Sequence, residues 1–427
     1  MKLFKHHISD TVLSRIIAAL CSMGIVIITS RAFGADGRGY IGILGYAMTF
    51  LMIISDFVGG SSLITLIPKI NLKSLLLPSY LWSFLVCSIG YLFLPFFDDV
   101  PEELYPHIFA LTFMLAIITV NYSVFIGKQL LQWRNWLAVL IVLGNLALIT
   151  TMVKVYGSED VFVYVQGLYL GEGIAFLLSL VVIFSKFGKE FSKPFKWHKD
   201  IFKLGFWSQL GHLTQFFNYR LSYIAILWVL SRPDLGLYAT VFVLAESIWI
   251  FGNSIGTVQH MKIVNSADKD FHVDLTLRYM KLSGLITVIA VAVGVVIPQE
   301  FWTWLLGSEF SEFRYTFIWL APGVVFLGFS TVLSHYYHAK QRFVSLFLAN
   351  FTGLVVKIAA LLVFWIGLEL WHVALATSFG LLAILVHLTL LFKRETGIGF
   401  RSFLPDRSFI VDGKQMLSSL LSSGKEK

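Results

Sequence analysis

The stretch Tyr40-Ile41-Gly42-Ile43-Leu44-Gly45-Tyr46-Ala47-Met48-Thr49-Phe50-Leu51, which stays apolar to about residue 60, decides the fold. A helix that spans a bilayer needs about 20 predominantly apolar residues, the length of this segment. It is the clearest of twelve such segments. They lie at about 11–30, 40–60, 76–97, 106–126, 137–153, 161–184, 204–230, 236–258, 282–298, 316–337, 343–366 and 370–392.

Composition extends this reading to the whole chain. Of 427 residues, 57% are hydrophobic and 14% charged, and the mean hydropathy is +0.77. Soluble chains run at about 45–50% apolar and about 25% charged. A disordered chain and a soluble globular enzyme are therefore excluded. At about 35 residues per span and loop the chain holds about 12 spans, and no gap between them fits a folded domain. The expected fold is an all-α polytopic membrane protein. Cys21 and Cys87 both lie in apolar runs and suggest neither a disulfide framework nor a metal site. The basic start resembles a signal peptide, but Arg15 interrupts the apolar run and no small-x-small site follows, so it reads as a retained first span.

The net charge of +8 is explained by topology rather than by nucleic acid. With the N-terminus inside, 25 Lys and Arg fall on the inner side, six of them between residues 185 and 203. The outer side holds five: Arg31, Arg38, Lys154, Arg232 and Arg314. This asymmetry predicts cytoplasmic termini and an even span count. The outer loop Asp98-Asp99-Val100-Pro101-Glu102-Glu103 is acidic.

A faint internal repeat accompanies this. Asp36 and Tyr40 recur as Asp234 and Tyr238 at an offset of 198, and Gly39 and Gly59 recur as Gly236 and Gly256 at 197. The expected architecture is two six-helix lobes in parallel repeat, related by an axis along the membrane normal. The divisions are residues 1–190 (first lobe with the start of the linker), 191–395 (second lobe) and 396–427 (a cytoplasmic tail).

Few charges remain inside spans: Arg15, Arg220 and Lys357, with Asp56, Glu172 and Glu246. Each costs about 2.5–3.5 kcal/mol if it faces lipid. Two readings stay open. The bases line a water-filled cavity between the lobes, where guanidinium groups suit a phosphate or diphosphate. Otherwise each is neutralised by an acid, and depth in the membrane pairs Arg15 with Asp56 and Arg220 with Glu246. Asp56 and Glu246 are read as partners that orient a base or as ligands of a coupling cation, and Glu172 as structural. His212, His335 and His338 read as packed or interfacial. Trp302 and Trp304 fit an outer aromatic belt. Gly252-Asn253-Ser254-Ile255-Gly256 and Gly37-Arg38-Gly39-Tyr40-Ile41-Gly42 match enzyme motifs by letter only, without the strands those motifs need. No catalytic residue, cofactor or metal is expected.

The runs Arg31-Ala32-Phe33-Gly34-Ala35-Asp36-Gly37-Arg38-Gly39-Tyr40, Asp234-Leu235-Gly236-Leu237-Tyr238-Ala239, Leu306-Gly307-Ser308-Glu309-Phe310 and Leu320-Ala321-Pro322-Gly323 resemble polysaccharide flippases. These belong to the multidrug/oligosaccharidyl-lipid/polysaccharide exporter superfamily. The resemblance covers about residues 8–395. It departs at Trp365-Ile366-Gly367-Leu368-Glu369-Leu370-Trp371, where the family often has a proline. The resemblance implies a flippase for undecaprenyl-diphosphate-linked oligosaccharide, such as an O-antigen or capsule unit, in the bacterial inner membrane. Its partners would be membrane lipid and other polysaccharide-assembly proteins. Arg15, Arg220 and Lys357 would then hold the diphosphate. Two alternatives stand beside it: a drug exporter of the same superfamily, and a membrane polymerase or glycosyltransferase.

Overall fold

Helix α1 (Lys2–Ser55) contains the first apolar segment and most of the second. It is broken once, at Gly34, whose φ of 64° and ψ of −169° only glycine adopts without strain. The outer loop expected over 31–39 is thus a corner between two helical arms, because one glycine turns the chain without unwinding its flanks. The computed structural model describes residues 2–97, 100–198 and 200–403, with side chains from residue 13 onward apart from 61, 200, 204, 207 and 208. Asp98-Asp99 of the acidic loop and the tail after Phe403 lie outside the described residues, as do the side chains of Lys2 and Lys5.

After α1 come α2 (Gly60–Leu66), α3 (Leu72–Phe93), α4 (Tyr105–Gly127), α5 (Leu131–Lys154) and α6 (Phe162–Phe187). A second series follows: α7 (Asp200–Val229), α8 (Arg232–Val264), α9 (Lys269–Val296), α10 (Gln299–Leu306), α11 (Phe313–Ala339), α12 (Phe343–Val363) and α13 (Leu370–Thr396). No strand occurs among the described residues. Among the described residues, ten helices are long and apolar enough to cross a membrane. Length and composition alone therefore stop short of twelve. α1 counts once despite its corner, and α7 is not among the ten. The outer faces of these helices expose large apolar side chains, such as Leu81, Leu92, Leu177 and Val181, as contact with lipid tails requires.

Local chemistry sets the helix ends. Ser231 and Asp234 form a reciprocal capping box at the start of α8. α4 and α11 end alike: Gln129 (φ 60°) and Gln341 (φ 56°) both adopt the left-handed conformation. The next residues close the same six-residue ring, Leu130 N–H onto Phe125 O at 2.6 Å and Arg342 N–H onto Tyr337 O at 2.9 Å.

The helices pack as two bundles. In the first, α5 lies on α6 and α1, and α4 on α3 and α6. In the second, α11 lies on α8, α9 and α13, and α12 on α13 and α7. At the end that carries the Gly34 corner, one core runs through both bundles, joining Tyr40, Ile43 and Leu44 to Leu235, Tyr238 and Phe310. At the opposite end the cores are separate, one around Leu63, Leu72 and Phe125, the other around Leu275, Tyr336 and Phe392. Of the two tryptophans expected at the lipid interface, Trp304 is exposed but Trp302 is buried, its ring 4.5 Å from that of Phe313.

The lysine-rich connection between the bundles is a strap tied to the first. Glu190 accepts from Lys128 Nζ at 2.7 Å and from Leu72 N–H at 3.3 Å. Lys196 N–H donates to Ser74 Oγ at 2.8 Å.

Candidate functional site

The cleft between the bundles narrows toward the Gly34 corner, and four contacts hold that end shut. Arg232 donates twice to the Asp36 carboxylate across the bundles, both at 2.6 Å. Ala35 N–H donates to Glu309 Oε2 at 2.6 Å, and Arg31 donates to the Trp304 carbonyl. α1 and α8 meet backbone to backbone at their glycines. A Cβ on Gly236 would stand 1.8 Å from Ala35 O, and one on Gly39 2.2 Å from Arg232 O.

Below this closure lie connected cavities. One, of about 480 Å³, is lined by Asp56, Gln209, His212, Gln215, Arg220 and Glu246. A second, of about 310 Å³, is lined by Arg38, Tyr46, Asn145, Tyr164, Arg220 and Tyr223. Arg220 belongs to both. Its guanidinium sits 4.9 Å from the Tyr223 ring centre and 5.3 Å from that of Phe242, and it donates to Tyr223 Oη. Its nearest approach to Glu246 is 3.6 Å, longer than the roughly 2.7–2.9 Å of a direct charge-assisted hydrogen bond. Arg220 and Glu246, expected to pair from their depth in the membrane, lie side by side, and both also face the cavity.

The other expected residues fall differently. Asp56 lines the larger cavity, and among the described residues no ion pair joins it to Arg15. Arg15 is exposed, close enough to Arg134 and His335 to act on them electrostatically, and it lines neither of these cavities. Lys357 stands outside the cavity lining altogether. It is 0% exposed and donates to the Asn218 carbonyl of α7 at 2.6 Å. A base deep in an apolar span has this second outlet, a backbone carbonyl of a neighbouring helix, which charge counting does not foresee. Glu172 is buried in the first bundle, with Oε2 unpartnered among the described residues. Among the described residues no three His, Cys, Asp or Glu side chains come together as a metal site.

The residue that sequence reasoning missed is Arg38. Assigned to an outer loop, it is instead 4% exposed and donates to Thr240 Oγ1 at 3.1 Å and Thr29 Oγ1 at 3.3 Å. No carboxylate pairs with it among the described residues. The available signal was the stripe Arg38, Gly42, Gly45 and Thr49, which at helical spacing puts the arginine on one polar, small-residue face.

Two bundles closed at one end over a polar cleft define a class. The fold is that of MOP-superfamily transporters, and the chain is a multi-pass membrane protein. It is similar to a multidrug resistance MATE family transporter of that superfamily in its inward-facing conformation, with a TM-score of 0.72 at 14% identity, covering 88% of this chain and 94% of that one. It is equally similar to lipid II flippase MurJ in an inward closed conformation, TM-score 0.72 at 16% identity, over 99% of this chain and 93% of that one. An outward-facing MATE family transporter gives 0.60 at 15% identity, over 91% and 95%. No curated protein matches the sequence. The family model described as polysaccharide biosynthesis protein matches residues 6–259, more than half of the chain. The chain belongs to the polysaccharide biosynthesis protein family.

Proposed function

We propose that the protein is a flippase that moves an undecaprenyl-diphosphate-linked oligosaccharide, such as an O-antigen unit of lipopolysaccharide, across the bacterial inner membrane. The observation that carries this reading is Arg38. A guanidinium inside a membrane domain costs several kcal/mol when no anion compensates it. Among the described residues Arg38 has only two hydroxyls as partners. It shares a cavity with Arg220, which comes from the other bundle. Two planar forks, one on each moving body, suit a diphosphate that must be held while the bodies change their angle.

In this reading Arg38 and Arg220 take the diphosphate, and Glu246 holds Arg220 until substrate displaces it. Arg15 draws the anion toward the open end of the cleft, where His212 is exposed. Lys357 positions α7 rather than touching substrate. Asp56 is the candidate for a coupling cation. The lysine-rich end faces the cytoplasm, as do both termini, and the two six-helix lobes divide at the strap. The sugars cross in the aqueous cleft while the lipid tail stays in the membrane. The role is transport, not catalysis.

The test is the leaflet that holds the lipid-linked sugar after gene deletion. Retention on the inner leaflet, reversed by the wild-type gene, is expected. Accumulation of single units on the outer leaflet would instead mean a polymerase.

One observation favours a second reading. Asp56 faces the larger cavity with no basic partner among the described residues, and the fold is also that of a multidrug MATE transporter. A drug exporter would use that carboxylate for an organic cation. Deletion would then raise susceptibility to cationic drugs and leave the lipid-linked sugar on its normal leaflet.

A further inference from the structure

The second bundle holds another cavity, of about 240 Å³, enclosed by α7, α8, α11, α12 and α13. Its chemistry contrasts with that of the cleft. Among the described residues neither Lys, Arg, Asp nor Glu lines it. The polar groups that do are neutral amides and hydroxyls with histidines, among them Gln215, Asn253, Ser334, His335 and Asn350, beside the Trp249 ring. The walls are held in place. Trp249 Nε1 donates to Thr331 Oγ1 at 2.6 Å, fixing the indole. Gln215 Nε2 donates to Tyr219 Oη at 3.1 Å, and Asn253 Oδ1 lies 3.4 Å from His335 Nε2. These bonds leave Gln215 Oε1, Asn253 Nδ2, Asn350 Oδ1 and Ser334 Oγ without protein partners among the described residues. They are a mixed set of donors and acceptors around an aromatic face.

Such a set matches a ring bearing several hydroxyls. Each hydroxyl both donates and accepts, the amides supply both roles, and the C–H face of the ring packs on an indole. A phosphate or an organic cation would find no Lys, Arg, Asp or Glu among the described residues here. The volume corresponds to about eight waters, the scale of one sugar residue rather than of a chain. The cavity also joins the charged cleft, because His212, Gln215, Tyr219 and Trp249 line both.

We propose that this neutral cavity of the second bundle is a binding site for one uncharged sugar residue, next to the charged cleft that takes the diphosphate. The proposal rests on the flippase reading and adds to it where specificity resides. The substrate would be read by Asn253, Gln215 and Trp249, while Arg38 and Arg220 accept any diphosphate.

The test uses the full chain in lipid nanodiscs and two separate probes. Neutral monosaccharides (glucose, galactose, mannose and N-acetylglucosamine) are followed by saturation-transfer NMR, and inorganic pyrophosphate by calorimetry. At least one monosaccharide should give a saturable signal that glucuronate does not compete away. Asn253→Leu should weaken it at least about tenfold, the worth of one or two hydrogen bonds, and leave pyrophosphate binding unchanged. Should that variant fail to fold, the isosteric Asn253→Asp adds a charge without changing shape and should weaken it likewise. Arg220→Gln should do the opposite, losing pyrophosphate and keeping the sugar. No saturable sugar signal up to about 0.1 M, weaker than any specific site, overturns the proposal and leaves the flippase reading standing. A sugar signal indifferent to both Asn253 variants also overturns it. Pyrophosphate binding indifferent to Arg38 and Arg220 removes instead the flippase reading on which it rests.

Discussion

Arg38 and Lys357 are two buried cations with opposite fates. Lys357 is turned away from the cavities and donates to a backbone carbonyl of α7, which ties α12 to that helix. Arg38 is held by two hydroxyls and keeps an unspent charge. The two should therefore respond oppositely to neutralisation. Arg38→Gln is expected to raise the melting temperature of the purified protein, because it removes an uncompensated cation, and to cut lipid-linked sugar translocation by tenfold or more. Lys357→Met is expected to lower the melting temperature, because it removes a charge-assisted hydrogen bond between α12 and α7 worth roughly 1.5–3 kcal/mol. Translocation per folded molecule should survive. Thermal unfolding of both variants beside a leaflet assay checks the pair. Equal losses of translocation would return Lys357 to the binding site. At this scale the sequence marked Arg220, Glu246 and Asp56 because they interrupt apolar runs. It missed Arg38 because a helix that passes through a glycine corner looks, residue by residue, like a polar loop.

The internal repeat gains meaning in the helices. Gly39 and Gly236, paired in sequence by their offset, lie at the same crossing of α1 on α8, each against the other helix's backbone. Gly236→Val should therefore keep the bundles from closing at the corner end. The expected readout is greater labelling of an engineered cysteine at position 42 by a membrane-impermeant thiol reagent added from outside. Wild-type levels of labelling would mean that the crossing tolerates a side chain. A second pair, Lys128-Gln129 and Lys340-Gln341, escaped the repeat because its offset is 212 rather than 197 or 198: both glutamines close helices in the left-handed region. Gln341→Gly should leave thermal stability equal or slightly higher, whereas Gln341→Val, β-branched at positive φ, should lower it by about 1–2 kcal/mol. Periodicity and hydropathy made the helices legible. The Gly34 corner and the strap were not, because each depends on one residue's backbone angles or on a few hydrogen bonds to distant partners.

For the whole molecule, the closed end is the state-determining feature. One exposed ion pair is worth about 0–1 kcal/mol, so Asp36→Asn alone should shift the balance of states only severalfold. Exchange of the two residues (Asp36→Arg with Arg232→Asp) should restore what either single change loses. A stronger test is Asp36→Cys with Arg232→Cys. Oxidation should join the bundles and stop translocation, and a reductant should restore it. Continued flipping by the oxidised protein would show that this end need not open.

The same closure has an electrical consequence. Water that fills the cleft from the lysine-rich side carries that side's potential almost to the Gly34 corner. The transmembrane voltage then falls across the short packed layer of Tyr40, Leu44, Leu235 and Tyr238 instead of across the full bilayer. A charge that passes this layer exchanges about 2.3 kcal/mol with the field for every 100 mV. In the proposed function, where the lysine-rich side faces a negative cytoplasm, an anionic diphosphate released outward descends that gradient. The resting potential alone then gives the cycle a direction.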